Sequence, residues 1–228
     1  MMVLLVGRRW IQVAPVVYNW YSLYPTMTSR DITAALRALR RHSGAVRTKD
    51  ALALGIHPAT LYELRDSGQL TELARGLYRL ADAREFRYPD LAVVAARAPS
   101  AAVCLISALA FHNITTQIPA VMHLAVPRGK YHRLNLAPLP VHVYRFDPKT
   151  FDAGLETHEL DGGRIKVYSP ARSVVDSFKF RNKIGLDVAL EALRLARTRK
   201  RVSNRELLHY ARLLRMEGPI RPYLEALA

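Results

Sequence analysis

The sequence predicts an α+β protein: an N-terminal winged helix-turn-helix, followed by a mixed α/β domain that ends in a helical bundle. Three observations carry this. Apolar residues between Asp31 and Asp66 recur at helical spacing, those of "QLTELARGLYRL" alternate, and the segments beyond residue 120 alternate first and turn helical after Pro170.

Each element has its own signals. In "DITAALRALRRH", Ile32, Ala35, Leu36 and Leu39 form one stripe with Arg37, Arg40 and Arg41 elsewhere; Ser29 is the expected N-cap, and Ser43 and Gly44 end the helix. "RTKDALAL" reads as a short helix capped by Thr48 and stopped at Gly55. "PATLYELRDSG" reads as a third, with Pro58 in its first position and Gly68 just past its end. Leu70 to Ala74 and Leu77 to Leu80 read as two strands joined through Arg75 and Gly76.

Small Ala51, a left-handed turn at Gly55, and anchors Leu61 and Leu64 meet the constraints of a helix-turn-helix, and the hairpin supplies its wing. In that geometry the second helix of the motif enters a major groove. His57, Ala59, Thr60, Tyr62 and Glu63 then face outward and Arg65 flanks the groove, while Arg47, Lys49, Arg75 and Arg79 are placed to meet phosphates.

Residues 81–228 do not repeat residues 29–80. "YPDLAVVAARAP" and "AAVCLISALAFHNI" read as apolar helices. "AVMHLAVP", "LPVHVYRF" and "RIKVYS" read as strands of a mixed sheet, with a turn at Asp161 to Gly163. "ARSVVDSFKFR", "LDVALEALRLARTR", "NRELLHYARLLR" with Ser203 as its cap, and "PIRPYLEALA" are helical. The junction "ADAREFRY" is polar and short, so the two parts are expected to touch.

Charge narrows the partners. Thirty-four Lys and Arg against nineteen Asp and Glu leave a formal charge of +15, which repels itself in a compact chain unless a polyanion or counterions are near; the balance favours nucleic acid, an anionic membrane face or an acidic protein, with nucleic acid first among them. Both parts are cationic. From Arg194 to Arg215 there are eight cations and one anion, Glu206, and Arg197, Arg199, Lys200 and Arg201 crowd one helix junction. With Arg181 and Lys183 they are expected to bind DNA backbone or an RNA.

Cys104, the single cysteine, lies in an apolar run, which excludes an internal disulfide and every multi-cysteine zinc site and fits a reducing cytoplasm. In residues 1–26, Gln12, Pro15, Asn19 and Ser22 interrupt the apolar stretch and no small-residue cleavage site follows, so neither a signal nor a membrane span is expected; Met27 is read as the working start.

Several blocks in order, "RGLYRL", "ISALAFHNITTQIP", "HLAVPRGK", "YSPARSVVDSFKFRNKIGLDVALEAL" and "LLHYARLLRMEGPIRPYLEAL", resemble the AbiEi family, the antitoxin and transcriptional-repressor components of AbiE-type (type IV) abortive-infection systems. The resemblance runs from about Ser29 to the end. It implies a winged helix that binds inverted repeats in the promoter and represses its own operon. It also implies a C-terminal domain that counters a nucleotidyltransferase toxin without a stable complex.

The rival is a metal-dependent nuclease or other enzyme carried by a winged helix. Ser107 with His112, Ser173 with Asp176, and His123, His132 and His142 can be assembled into sites on paper, but no carboxylate orients the histidines. Glu156, Glu159, Asp161 and Lys166 lack the spacing of a magnesium nuclease, and no Gly-rich phosphate loop appears. The expectation is therefore no catalytic residue, no metal and no cofactor.

Overall fold

The computed structural model describes residues 2–6, 9–13, 29–42, 44–129, 134–160 and 163–226. Met27, Ser43, His132 and Asp161, each invoked above, lie outside them. The first two strands, β1 (Met2–Val6) and β2 (Arg9–Val13), pair antiparallel.

Residues 29–80 fold around one core. Helix α1 (Ser29–Arg41), strand β3 (Val46–Arg47), helices α2 (Thr48–Ala53) and α3 (Pro58–Asp66), and strands β4 (Leu70–Ala74) and β5 (Leu77–Leu80) follow in order, and the strands form a sheet β3-β5-β4. Ala35 and Leu39 of α1 meet Ala51, Ile56, Leu61 and Leu64, with Val46, Leu70 and Tyr78 closing the core from the sheet. Leu61 and Leu64 are 0% exposed, a burial that contributes about 1.5–3 kcal/mol per side chain. Gly55 takes φ +80° between α2 and α3, as the turn between the helices required. Thr48 is the first residue of α2 and not its cap: its N–H and its hydroxyl both donate to the Gly76 carbonyl, at 3.0 and 3.3 Å, which fastens α2 to the hairpin turn.

The hairpin is shared between two cores. Leu70 and Tyr78 belong to the first, whereas Ala74 and Leu77 pack with Leu91 and Val94 of α4 (Pro89–Arg97) in a second. Arg47 adds a polar tie, donating to the Ala96 carbonyl at 3.2 Å.

The second core lies on a five-stranded sheet ordered β8-β7-β6-β10-β9, built from β6 (Ala102–Val103), β7 (Met122–Pro127), β8 (Val141–Phe146), β9 (Leu155–Leu160) and β10 (Gly163–Tyr168). The β7–β8 and β6–β10 pairs are parallel, and β6–β7 and β9–β10 antiparallel. The two-residue side-chain period splits the sheet cleanly. Val103, Leu124, Val126, Ile165 and Val167 face α4; Ala102, Ala125, Tyr144, Phe146 and Tyr168 face the other way.

Two of these strands were not expected. β6 occupies the start of "AAVCLISALAF", read above as wholly helical; Leu105, at φ +45°, turns the chain into α5 (Leu105–Phe111). β9 pairs with β10, and only Leu155 and Leu160 at its ends are aliphatic, so it lacked a hydrophobic alternation to announce it.

Behind the sheet lie α6 (Pro148–Phe151), α7 (Pro170–Lys179), α8 (Arg181–Ile184), α9 (Leu186–Thr198), α10 (Asn204–Leu213) and α11 (Glu217–Ala226). Every residue of α7 from Ala171 to Phe178 is buried, and α9, α10 and α11 pack around it with α5. Ser203 and Glu206 close a reciprocal capping box at the start of α10. No helix among the described residues is long and apolar enough to cross a membrane.

Candidate nucleic-acid interface

Helix α3 presents its polar face outward because Leu61 and Leu64 pin the opposite face to the core. His57 caps the helix, its Nδ1 accepting from the Ala59 N–H at 3.2 Å. That bond leaves Nε2 of an exposed ring for a partner. Tyr62 stands 47% exposed, with the Arg65 guanidinium 5.2 Å from its ring centroid. Ala59 is half-buried and Glu63 exposed. Thr60 departs from expectation. At 4% exposure it lies inside, because it is adjacent to Leu61 on the inner side of the helix, and it does not belong to an outward reading surface.

The expected phosphate-contacting cations divide into two kinds. Lys49 and Arg75 are exposed and enter no ion pair among the described residues, and each is the chain neighbour of a residue in the Thr48–Gly76 contact. The other two, Arg47 and Arg79, are engaged, as is Arg65, the residue expected to flank the groove. Arg47 holds Asp50 through two hydrogen bonds of 2.7 and 3.0 Å, which keep that carboxyl below its ordinary pKa, and spends a third on Ala96. Arg65 lies 2.8 Å from Asp66 and 3.7 Å from Glu72. Arg79 donates to the Ala83 carbonyl at 2.9 Å and lies over Phe86, so it anchors the segment leaving the hairpin.

The C-terminal basic cluster does not come together as predicted. Arg181 and Lys183 sit before α9, Arg199, Lys200 and Arg201 after it, and a 13-residue helix is about 20 Å long. Several of these cations are held by carbonyls: Arg181 by Phe178, Arg197 by Leu224, and Arg199 by Asn113. Sequence reading missed Arg128 and Lys179, which stand on separate segments and meet Lys183 only in the fold, around a groove of about 740 Å³.

The residues weighed for catalysis have other partners. Ser173 donates to the Tyr168 carbonyl at 3.1 Å, Ser107 accepts from the His123 N–H at 2.9 Å, and Asp176 is paired with Arg172. Burial beside His142 pushes His123 down to a pKa of about 4. Glu159 pairs with Arg164 at 2.6 Å, and Glu156 lies 3.3 Å from His158. Among the described residues no three His, Cys, Asp or Glu side chains are grouped to hold a metal ion.

Residues 34–81, which span α1 to the end of the hairpin, match a family described as transcriptional regulator, AbiEi antitoxin. No curated protein matches the chain. Among solved structures, the crystal structure of RV2827C protein from Mycobacterium tuberculosis is similar, with a TM-score of 0.56 at 17% identity over 81% of this chain and 72% of that one. At that identity the likeness is one of fold.

Proposed function

From the match of residues 34–81 to the AbiEi antitoxin transcriptional-regulator family, we propose that residues 29–80 act as a winged helix-turn-helix and that the protein represses its own operon from promoter inverted repeats. One observation carries the reading most of the way: α3 and its cap show Tyr62 and His57 to solvent while the inner face of the helix is locked into the core, and Lys49 and Arg75 on α2 and the hairpin turn enter no ion pair among the described residues. His57 and Tyr62 reach base edges in the major groove, with Ala59 allowing close approach; Lys49 and Arg75 hold the flanking phosphates. Each copy covers one half-site, so the two arms of an inverted repeat take two copies. Residues 81–228 supply the antitoxin activity against a nucleotidyltransferase toxin, without a stable complex, in the cytoplasm and without catalysis by this chain.

A gel-shift titration of the chain on its own control region tests the reading. Retarded species of one and two bound copies are expected, and His57→Ser, which keeps a capping oxygen for the Ala59 N–H, with Tyr62→Ala lowers affinity at little change in thermal stability. Equal affinity for unrelated duplexes contradicts it.

A further inference from the structure

The groove between β8 and the α7–α8 corner has features that the DNA-binding reading leaves unused. Arg128, Lys179 and Lys183 are all exposed around it, and none is in an ion pair among the described residues. Cations on three segments of one groove repel one another, and a multiply charged anion relieves that repulsion.

The wall is aromatic. His142 stacks on Tyr144 with centroids 4.7 Å apart and planes 18° apart, and Phe180 meets the Tyr144 ring edge at 5.4 Å. The Lys183 ammonium lies 5.9 Å from both the Tyr144 and Phe180 centroids, so charge and π-face share one surface. His142 is exposed and continues the stack toward solvent.

The floor holds an unanswered acceptor. Arg172 and Asp176 are 1% exposed and joined through Nε and Oδ2 at 2.9 Å, while the other carboxylate oxygen, Asp176 Oδ1, is buried without a hydrogen-bond partner. A buried acceptor of this kind costs stability until a donor reaches it. Amino groups of bases and ribose hydroxyls are such donors.

We propose that this groove binds a nucleotide unit, either free or within a single strand, with its phosphates on Arg128, Lys179 and Lys183, its base against the His142–Tyr144 stack and a donor toward Asp176. Cations alone would suit any polyanion. The aromatic wall and the buried acceptor select a base-bearing one, and a volume of about 740 Å³ has room for it. The proposal is independent of operator binding, which uses α3.

The test titrates the full-length chain with ATP, CTP, inorganic tripolyphosphate and a fluorescent ten-nucleotide single-stranded RNA. A nucleoside triphosphate is expected to bind about tenfold or more tighter than tripolyphosphate, the margin that stacking supplies. Lys179→Glu with Lys183→Glu, both at exposed positions, is expected to lower that affinity about tenfold or more while thermal midpoint and promoter binding stay unchanged; Lys179→Gln with Lys183→Gln is expected to do so by a smaller factor. RNA binding tighter than either nucleotide and lost in the same variants assigns the groove to a strand. Weaker RNA binding assigns it to the free nucleotide. No binding of nucleotide or RNA at about 1 mM, tripolyphosphate binding as tightly as ATP, or affinity untouched by the charge reversal overturns the proposal.

Discussion

Arg172 and Asp176, one turn apart on α7, form an ion pair at 2.9 Å in which both side chains are 1% exposed. Two further hydrogen bonds from Arg172, to the carbonyls of Thr150 and Ala153 at 2.8 Å, tie α6 and the turn before β9 to the central helix. Burial raises the Asp176 pKa to about 6 against the opposing pull of Arg172. Removing one partner leaves an uncompensated buried charge, so Arg172→Met is expected to cost about 3–5 kcal/mol in urea unfolding. The double change with Asp176→Leu is expected to recover a large part of that loss. Equal destabilisation by the single and double variants would show that the carbonyl bonds, and not the buried charge, set the cost.

Two buried groups pull stability in opposite directions below neutrality. His123, held at about 4 against an ordinary 6.5, stays neutral in the fold while the unfolded chain binds a proton, so its contribution is present above pH 6.5 and is lost as pH falls toward 4. Asp176, raised from 3.8 to about 6, takes up a proton in the fold first, so its contribution is present below pH 4 and is lost as pH rises through 6. His123→Leu is expected to narrow the fall in urea midpoint between pH 7 and pH 5, and an unchanged difference between those pH values would remove His123 from this account.

Gly76 joins α2 to the hairpin at φ +71°, and a Cβ there would stand 3.0 Å from the Thr48 hydroxyl oxygen. Gly76→Ala carries both the left-handed backbone and the crowding, an expected cost of about 1–2 kcal/mol. Gly55→Ala, with φ +80° and no atom within 4 Å of the new methyl, isolates the backbone share and is expected to cost less. Chemical denaturation of the two variants compares them directly; a larger loss at Gly55 would contradict the contact with Thr48.

Lys49 and Arg75 are the cations on the N-terminal unit best placed to release counterions. Replacing both by Ala is expected to lower the slope of log affinity against log salt on promoter DNA by about 0.9 for each. Arg79→Ala is expected to leave the slope where it was, because that guanidinium is bound to Ala83. A slope that responds to Arg79 and not to the other two would reverse their assignment.

The N-terminal unit was legible because its punctuation is local. Pro58 starts α3, Gly55 turns at φ +80°, and Arg75 and Gly76 join two strands whose bounds coincide with those read from the alternation. Thr60 was misjudged because helical spacing places a residue only to within a fraction of a turn, and the bonds of Arg47 to Asp50 and to the Ala96 carbonyl were not legible because the second comes from packing of distant segments. In the C-terminal part the helices were legible from their stripes and from Ser203. β9 was not, since "LETHEL" has aliphatic residues only at its ends, and the groove was not, since Arg128, Lys179 and Lys183 become neighbours only when β7, α7 and α8 meet.

A footprint of the full-length chain on its own control region at low ionic strength tests the central claim most directly. Two protected half-sites arranged as an inverted repeat are expected, with loss of both in the His57→Ser, Tyr62→Ala chain, whose helix cap is kept and whose thermal midpoint changes little. No protection by the parent chain, or equal protection by the variant, would contradict it.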